Sequence, residues 1–497
     1  MTAMRRPALT TSLTASLCFA LAGCTVGPDF HPPDAPKVTS YSVSPPADPV
    51  RLGAPVGDVW WRGLGSPALG AIVDSAVTGN LTLAAAKARL RGAQEMADAS
   101  AGRLWPQVDA TGGVARKRVN LVTFGMQGHS PVFYLYSVGA TISYSLDFFG
   151  GDRRQVEEDD ARAEAAGYRT AAAYVMLTGN AAVQAVTAAA TADALRDTLA
   201  AVAADREALE ATRHGVVAGS LPESAVTSAE ARLARDEAEL PALRQRLGAT
   251  HNALAVLLGV APAEWRPPAL SLADMALPAD LPLSLPSDLV RQRPDIMAAE
   301  ADLHAASAAV GVATANMFPR VQLTAGLEQA AASTALFWSS DSTQGGVAAG
   351  VTAPLFHGGA LNAARRAAKA EFEASGADYR QTVLTAFQQV GDILQALAND
   401  GDALASADLA LSVAAKQRTM MQAAFARGAV NHLAVLAAER DWQMARASRD
   451  AALGRRWVDV IGLYVAMGGD WRHWAAQPDE SVATPTEPAR LDHTGRL

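Results

Sequence analysis

The chain has 497 residues, of which half are hydrophobic and 19% are charged, and its formal net charge is −8. This length allows a large core or more than one domain. The acidic balance argues against a nucleic-acid-binding protein, which usually presents a basic surface, so we expect no nucleic-acid partner.

The first residues have the layout of a secretory signal. Two arginines precede an apolar run from Ala8 to Ala22, which is too short to span a bilayer comfortably. We therefore predict a signal peptide over residues 1–23. The run ends in the sequence LAGC at Cys24, which resembles a bacterial lipobox, whose cysteine receives the lipid and becomes the mature N-terminus.

Cys24 is therefore the predicted lipidation site, and several acyl chains on it would anchor the protein stably. Thr25 follows it, where an Asp would suggest retention in the inner membrane, so the sequence favours the outer membrane. The other cysteine, Cys18, lies inside the signal. The mature chain would then offer no thiol for catalysis, no disulfide and no CxxC metal site.

The next elements alternate between extended and helical patterns. Residues 24–60 are rich in proline and predict an extended, lipid-anchored segment. A helical pattern from about 66 to 104 is followed by period-two alternation over 107–118 and 132–147, which predicts two strands. From Asp152 to about Thr212 there is almost no helix breaker. One helix of that length would extend about 90 Å and would need partners along it.

A break at His214 to Pro222 separates this helix from a second one that ends near Leu258. The second helix carries leucine or valine at every seventh position and predicts a coiled-coil hairpin, with an amphipathic helix on a globular core as the alternative. We expect Pro241 to kink this helix or stagger its packing. The heptad residues are Val226, Leu233, Leu240, Leu247 and Leu254.

The pattern then repeats after a proline-rich linker at 261–287. The sequence RLWPQVDATGG, from Arg103, matches NMFPRVQLTAG, from Asn316. We therefore predict two structural repeats, 61–260 and 288–471, the second with strands at about 320–329 and 346–354 and its own helical hairpin. The polar tail 472–497 has no periodicity and predicts disorder.

The strand around Tyr134–Leu146 has one wholly apolar face and one face of small polar residues. Both a soluble sheet and a membrane strand fit this alternation. An open sheet cannot stand in lipid, because its edge groups would lack hydrogen-bond partners, and four strands cannot close a barrel. A membrane sheet would therefore require an oligomer, with eight strands in a dimer or 12 in a trimer.

Six further motifs stand out along the chain: CTVGPDFHPP from Cys24, WWRGLGSPAL from Trp60, SLDFFGG from Ser145, LPSDLVRQRPDIMAAEADL from Leu285, APLFHGG from Ala353 and VAMGGDW from Val465. Together they resemble the TolC-like outer-membrane efflux proteins, specifically the OprM/NodT-type lipoproteins. The resemblance implies a mainly α, α+β membrane fold. It also implies a homotrimer with a 12-strand transmembrane β-barrel, four strands per chain, continued by a long periplasmic α-helical coiled-coil barrel.

The same resemblance implies the exit duct of a tripartite efflux pump, joined to a periplasmic adaptor and an inner-membrane RND-type transporter. We expect passive conduction, no enzymatic activity, no cofactor and no metal, because the nine histidines show no HExxH or close ligand pair. Three alternatives remain at this stage: the outer-membrane duct of a type I protein-secretion system, a periplasmic lipoprotein scaffold without a pore, and a lipid-anchored enzyme.

The two helix-hairpin turns are the predicted functional places. The first runs from His214 to Glu223, and its adaptor-facing residues are predicted to be His214, Gly219, Ser220 and Glu223. The second runs from Phe425 to Ala437 around Gly428. In the family, this turn carries a Tyr before the glycine and a basic residue and acids after it, which hold the closed pore.

This chain departs from that pattern at each of those positions. Phe425 stands at the Tyr position, and Val430, Ala434 and Ala437 stand where relatives have charged residues. The polar pair Asn431 and His432 follows Val430. We therefore expect an apolar constriction built from Phe425, Val430 and Leu433, with closure by other residues such as Glu223 as the alternative.

Overall fold

The structure is a computed structural model that describes residues 25–41, 50–52, 56–57, 59–120, 125, 127, 131–278 and 281–476. The predicted signal peptide and Cys24 lie outside these residues. The described part is mainly helical, with one four-stranded sheet and one pair of short strands. Its helices and strands in chain order are β1 (Val50–Leu52), α1 (Pro67–Gly79), α2 (Leu81–Ala101), β2 (Gln107–Arg118), β3 (Val132–Leu146), α3 (Gly151–Val217), α4 (Glu223–Leu257), β4 (Leu281–Leu283), α5 (Pro286–Leu289), α6 (Pro294–Ala315), β5 (Arg320–Ala331), β6 (Thr343–Thr352), α7 (Ala360–Ala426), α8 (His432–Ala466) and α9 (Trp471–Ala475).

The chain forms two compact units, and these are not its two sequence halves. The sheet unit takes residues up to Asp34, Ala88–Gly167 and Ala298–Thr382, and the hairpin unit takes the remaining segments. The boundaries 61–260 and 288–471 therefore do not separate compact bodies. The reason is the length of α3 and α7, which have 67 residues each. A helix of that length extends about 100 Å. Each of these helices therefore contributes one part to the sheet unit and the other part to the hairpin unit.

The four strands of the sheet unit pair in the order β2-β3-β5-β6, and all the pairs are antiparallel. Directly paired residues lie on the same face of a sheet, so the register assigns every alternating residue to a face. One face is apolar over most of its length, with Val108, Val114, Tyr136, Val138, Ile142, Tyr144, Leu323, Leu327, Val347 and Val351, and it carries Arg116, Arg118 and Gln329 toward the end where β2 leads to β3. The other is polar, with Asp109, Thr111, Ser137, Thr141, Ser143, Gln322, Thr324, Glu328 and Gln344.

A short N-terminal strap, Thr25–His31, is fixed in the sheet unit by a buried arginine. Arg154, in the first turn of α3, binds the Asp29 carboxylate at 2.6 Å and the Glu157 carboxylate at 2.6 Å. The Phe30 ring stacks on the His304 ring of α6, with centroids 4.5 Å apart. The first residues of the predicted extended segment are therefore packed against the sheet unit.

In the hairpin unit, the helix pairs of the two sequence halves have equal lengths. Both α3 and α7 have 67 residues, and both α4 and α8 have 35. The five heptad residues predicted for α4 are all buried or half-buried. The helix continues through Pro241 without a break.

The predicted linker 261–287 is partly a packed segment, which corrects its assignment as a linker. Its strand β4 pairs in parallel with β1, and Leu281 and Leu283 are buried. At its 3-10 turn, Ser271 Oγ and the Leu272 N–H both donate to Asp193 Oδ2 of α3 at 3.0 Å. Prolines excluded a long helix here, but alternate leucines still gain roughly 2 kcal/mol each by burial.

The predicted tail disorder is wrong for its first residues. The short helix α9 runs to Ala475, and the Trp474 ring stacks on Tyr174 at 4.4 Å between centroids. Two aromatic rings supply the apolar area that the polar composition of the segment lacks. The rest of the predicted tail, 477–497, lies outside the described residues.

Among the described helices, α6 has the length and apolar composition needed to cross a membrane, and the bent pair Pro67–Gly79 with Leu81–Leu104 would pass the same test as one span. Over half of the apolar stretch of α6 is buried within the protein. That burial is typical of a core helix.

Candidate functional site

Both hairpin turns use the same backbone device to end the incoming helix. In the first turn, Gly219 has a φ of +73°, its N–H donates to the Val216 carbonyl at 2.9 Å, and the Ser220 N–H donates to the Gly215 carbonyl at 2.9 Å. These two bonds form a Schellman motif, which requires a left-handed residue and favours glycine. The turn is therefore fixed by its backbone.

The side chains predicted for the first turn have different roles. The Ser220 hydroxyl donates to the Gly215 carbonyl at 2.9 Å, so it reinforces the turn from within. The His214 carbonyl accepts from the Ala218 N–H at 3.0 Å, and the His214 side chain is exposed. Glu223 is exposed as the first residue of α4, where a carboxylate is stabilised by the helix dipole.

The second turn repeats this geometry and adds a side-chain cap. Gly428 also has a φ of +73°, and its N–H donates to the Phe425 carbonyl at 2.9 Å. Asn431 precedes α8, and its Oδ1 accepts from the Ala434 N–H at 3.2 Å. An Asn cap of this kind contributes about 1 kcal/mol to the helix.

The predicted constriction residues are only partly brought together within one chain. Phe425, which is 45% exposed, packs against the His432 ring of the same turn at 5.3 Å between centroids. Val430, Leu433, Ala434 and Ala437 are half-buried. Whether Phe425, Val430 and Leu433 narrow a pore depends on other copies of the chain, so the constriction stays a prediction.

Charged pairs surround the turns on the exposed helix faces. Arg213 bridges Glu210 at 2.7 Å and Glu230 at 2.9 Å, and His432 Nε2 lies 3.8 Å from Glu207 Oε1. Exposed pairs of this kind contribute at most about 1 kcal/mol each. These pairs therefore contribute little to the stability of the hairpins.

A buried ionic cluster farther from the turns joins three helices. Asp205 of α3 and Asp236 of α4 are almost fully buried, and Arg440 of α8 lies against both. The Arg440 Nε and Nη2 atoms donate to the two oxygens of Asp236 at 2.9 and 3.0 Å. This is the bidentate geometry of a strong charge-assisted pair.

Our sequence analysis missed this cluster, although a signal was present. The seam that complements the heptad of α4 runs three residues after each heptad leucine, and Asp236 occupies one of its positions. A charged residue at a coiled-coil core position costs stability and specifies a partner. The full seam is Ala229, Asp236, Leu243, Thr250 and Leu257.

Two more acids with raised pKa values follow on the same helices, Asp197, which is buried, and Asp459, which is half-buried. On α3, Asp197 lies 3.4 Å from the Arg446 guanidinium of α8, and burial raises the pKa of this carboxyl. On α8, burial and the neighbouring Asp400 raise the pKa of Asp459 to about 6. In the described ranges no three His, Cys, Asp or Glu side chains come together as metal ligands.

An amphipathic four-stranded sheet combined with two long helical hairpins defines the class of TolC-like outer-membrane channel proteins. The chain belongs to the outer membrane efflux protein family, whose sequence model matches residues 72–260 and 285–469. The resemblance found from the motifs is therefore confirmed.

Individual relatives match nearly the whole chain. It is 27% identical over 462 residues to the probable outer membrane lipoprotein SilC of Salmonella typhimurium, covering 92% of this chain and 98% of SilC. It is 29% identical over 496 residues to the probable efflux pump outer membrane protein TtgC of Pseudomonas putida, covering 97% and 100%. The solved outer-membrane channel OprN matches with a TM-score of 0.81 at 29% identity, covering 90% of this chain and 100% of OprN.

These matches establish the location and broad class of the protein. It is an outer-membrane efflux protein with a large periplasmic portion, as its relatives are. Efflux channels are not enzymes, and the family as a whole transports.

Proposed function

We propose that the protein is the outer-membrane exit duct of a tripartite efflux pump and works as a homotrimer. The observation that carries this proposal is the sheet, whose two faces differ in polarity over most of its length. Residues on its apolar face, such as Val138, Val347 and Val351, are 55%, 83% and 66% exposed in the single chain. Lipid would cover them, while the polar face would line a wet lumen.

The sheet edges support the oligomer. The outer sides of β2 and β6 pair with no other described strand of the chain. Open edges are not tolerated in the hydrocarbon layer, so the β2 edge of one copy would pair with the β6 edge of the next. Three copies would supply 12 strands, an even number within the range of known membrane barrels.

The long hairpins would form the periplasmic part of the duct, and their turns would dock a periplasmic adaptor by helix-to-helix packing. An inner-membrane RND-type transporter would supply the energy, since the duct only conducts. The relatives carry names as different as toluene efflux, pyoverdine export and cation efflux. The transported class is therefore left open.

The test of this proposal uses Cys24→Ser, expressed with its signal and separated into membrane and soluble fractions. Membrane retention without the lipid, with a trimer band on gels that disappears on heating, is the expected result. It would mean that the strands build a barrel and that the lipid is an accessory. Release of the variant as a soluble monomer would refute the channel.

A second prediction concerns the apolar constriction at the second turn. Val430→Asp would place three carboxylates close together in the trimer, and like charges raise the pKa of a carboxyl. Single-channel conductance of this variant should gain a transition near pH 4–5 that the parent lacks. Gln422→Asp is the control, because Gln422 is exposed on α7 about one helical turn before that helix ends at Ala426. This variant should gain no such transition. A parent that already shows this transition at the tip contradicts an apolar constriction.

A further inference from the structure

The Asp205–Asp236–Arg440 cluster holds more negative charge than its arginine neutralises. The two carboxylates come from neighbouring helices, α3 and α4, and are 3% and 2% exposed. Arg440 directs its hydrogen bonds to Asp236, and its third nitrogen, Nη1, lies 3.2 Å from the exposed Asp441. One buried negative charge, that of Asp205, is left without a matching donor.

The geometry at Asp205 shows this imbalance directly. Its Oδ2 lies 3.6 Å from Arg440 Nε, beyond hydrogen-bond distance, and no described donor reaches this buried atom. The other charged groups that face the carboxyl are Asp236 and Arg232 of α4 and Arg440 of α8. A buried carboxylate without a donor is costly, whereas a protonated one could donate to Asp236.

We propose that Asp205 and Asp236 form a proton-binding site that couples the packing of α3 against α4 and α8 to pH. With a proton bound, Asp205 donates to Asp236, Arg440 pairs with the remaining negative charge, and the cluster is neutral. Without the proton, two adjacent carboxylates repel each other in a buried place. The site lies within one chain and does not depend on the trimer or the pump.

The direction of the pH effect follows from the carboxyl. Burial, together with the hydrogen bond to Asp236, raises the pKa of Asp205 to about 6, from an ordinary value of about 4. The stabilisation is therefore complete below about pH 4 and is lost as the pH rises through about 6. The hairpins should be held most tightly in acid and should loosen toward neutral pH.

Hydrogen exchange of the full-length protein in detergent tests this site. Peptides covering 198–212, 230–242 and 433–446 should lose about tenfold in protection between pH 5 and pH 7.5, after correction for intrinsic exchange rates. Asp205→Asn is neutral at every pH, so its protection should be the same at both. Equal protection of the wild-type peptides at both pH values would overturn the proposal, whether or not a variant folds.

Two control variants assign the effect to this cluster. Asp459→Asn removes a second carboxyl whose pKa is raised to about 6 and should leave the tenfold change in place. His432→Gln removes the histidine in the first turn of α8 and should also leave the change in place. Persistence of the pH effect in Asp205→Asn, or its loss in either control, would overturn the site.

Discussion

Replacing Arg440 with Met is expected to destabilise the hairpin unit strongly. The side chain of Met fills part of the space, but Asp205 and Asp236 would then share a buried place without a cation. Breaking a buried pair in this way costs about 3–5 kcal/mol. The free energy of opening, measured by hydrogen exchange of α3, α4 and α8 at pH 7.5, should fall by that amount.

Arg206→Met, on α3 next to Asp205, is the matched control. Arg206 pairs with Glu237 at 2.7 Å, but both side chains are well exposed, so its loss should cost at most about 1 kcal/mol. Adding Asp236→Asn to Arg440→Met should recover part of the loss, because one buried charge disappears with the cation. Equal effects of the two arginine variants would show that Arg440 contributes no more than a surface pair.

Arg154→Met should release the N-terminal strap from the sheet unit. Arg154 is buried, holds Asp29 and Glu157 at 2.6 Å each, and directs its Nε toward the Val26 carbonyl at 3.4 Å. Hydrogen bonds to charged groups contribute roughly 1.5–3 kcal/mol each. Because Asp29 is largely exposed and can be solvated again, we expect a loss of about 3 kcal/mol, seen as faster exchange and proteolysis at Thr25–His31.

The neighbouring residue offers the control for this prediction. Arg153 is more exposed, and its guanidinium binds Asp147 in the loop just before α3, so Arg153→Met should leave the strap in place. Gly27→Ala should release the strap by another route, since a Cβ there would lie 2.4 Å from the Gly311 Cα of α6. A strap that stays protected in both Arg154→Met and Gly27→Ala would show that other contacts hold it.

The regular elements could be predicted because their periods are long and uninterrupted. Alternation predicted strands over 107–118 and 132–147, and the structure has Gln107–Arg118 and Val132–Leu146. The mainly helical class with a β-sheet is confirmed. The periodicity of a sequence does not show which strands pair with each other. The pairing of β3 with β5, which lies far along the chain, could therefore only come from the structure.

The two wrong predictions, for the linker and for the start of the tail, have a common physical cause. Both segments have a composition typical of irregular structure, but tertiary contacts bury their apolar side chains. Leu281 and Leu283 form a buried strand among prolines, and Trp474 folds a polar segment back onto Tyr174. Of the candidate site, the sequence predicted the two hairpin turns but not the buried ionic cluster. The glycines and caps of the turns follow from local rules, but the cluster around Asp205 needs three helices and no local pattern shows which ones meet.

The interleaving of the two units has a consequence for how the chain reaches its native state. Each unit needs three segments that are far apart in the sequence, and the sheet unit lacks its last segment until Thr382 has been made. Contacts between distant residues slow folding, and exposed strand edges aggregate meanwhile. Neither half of the chain should therefore fold when expressed alone, because each half lacks segments that both units need.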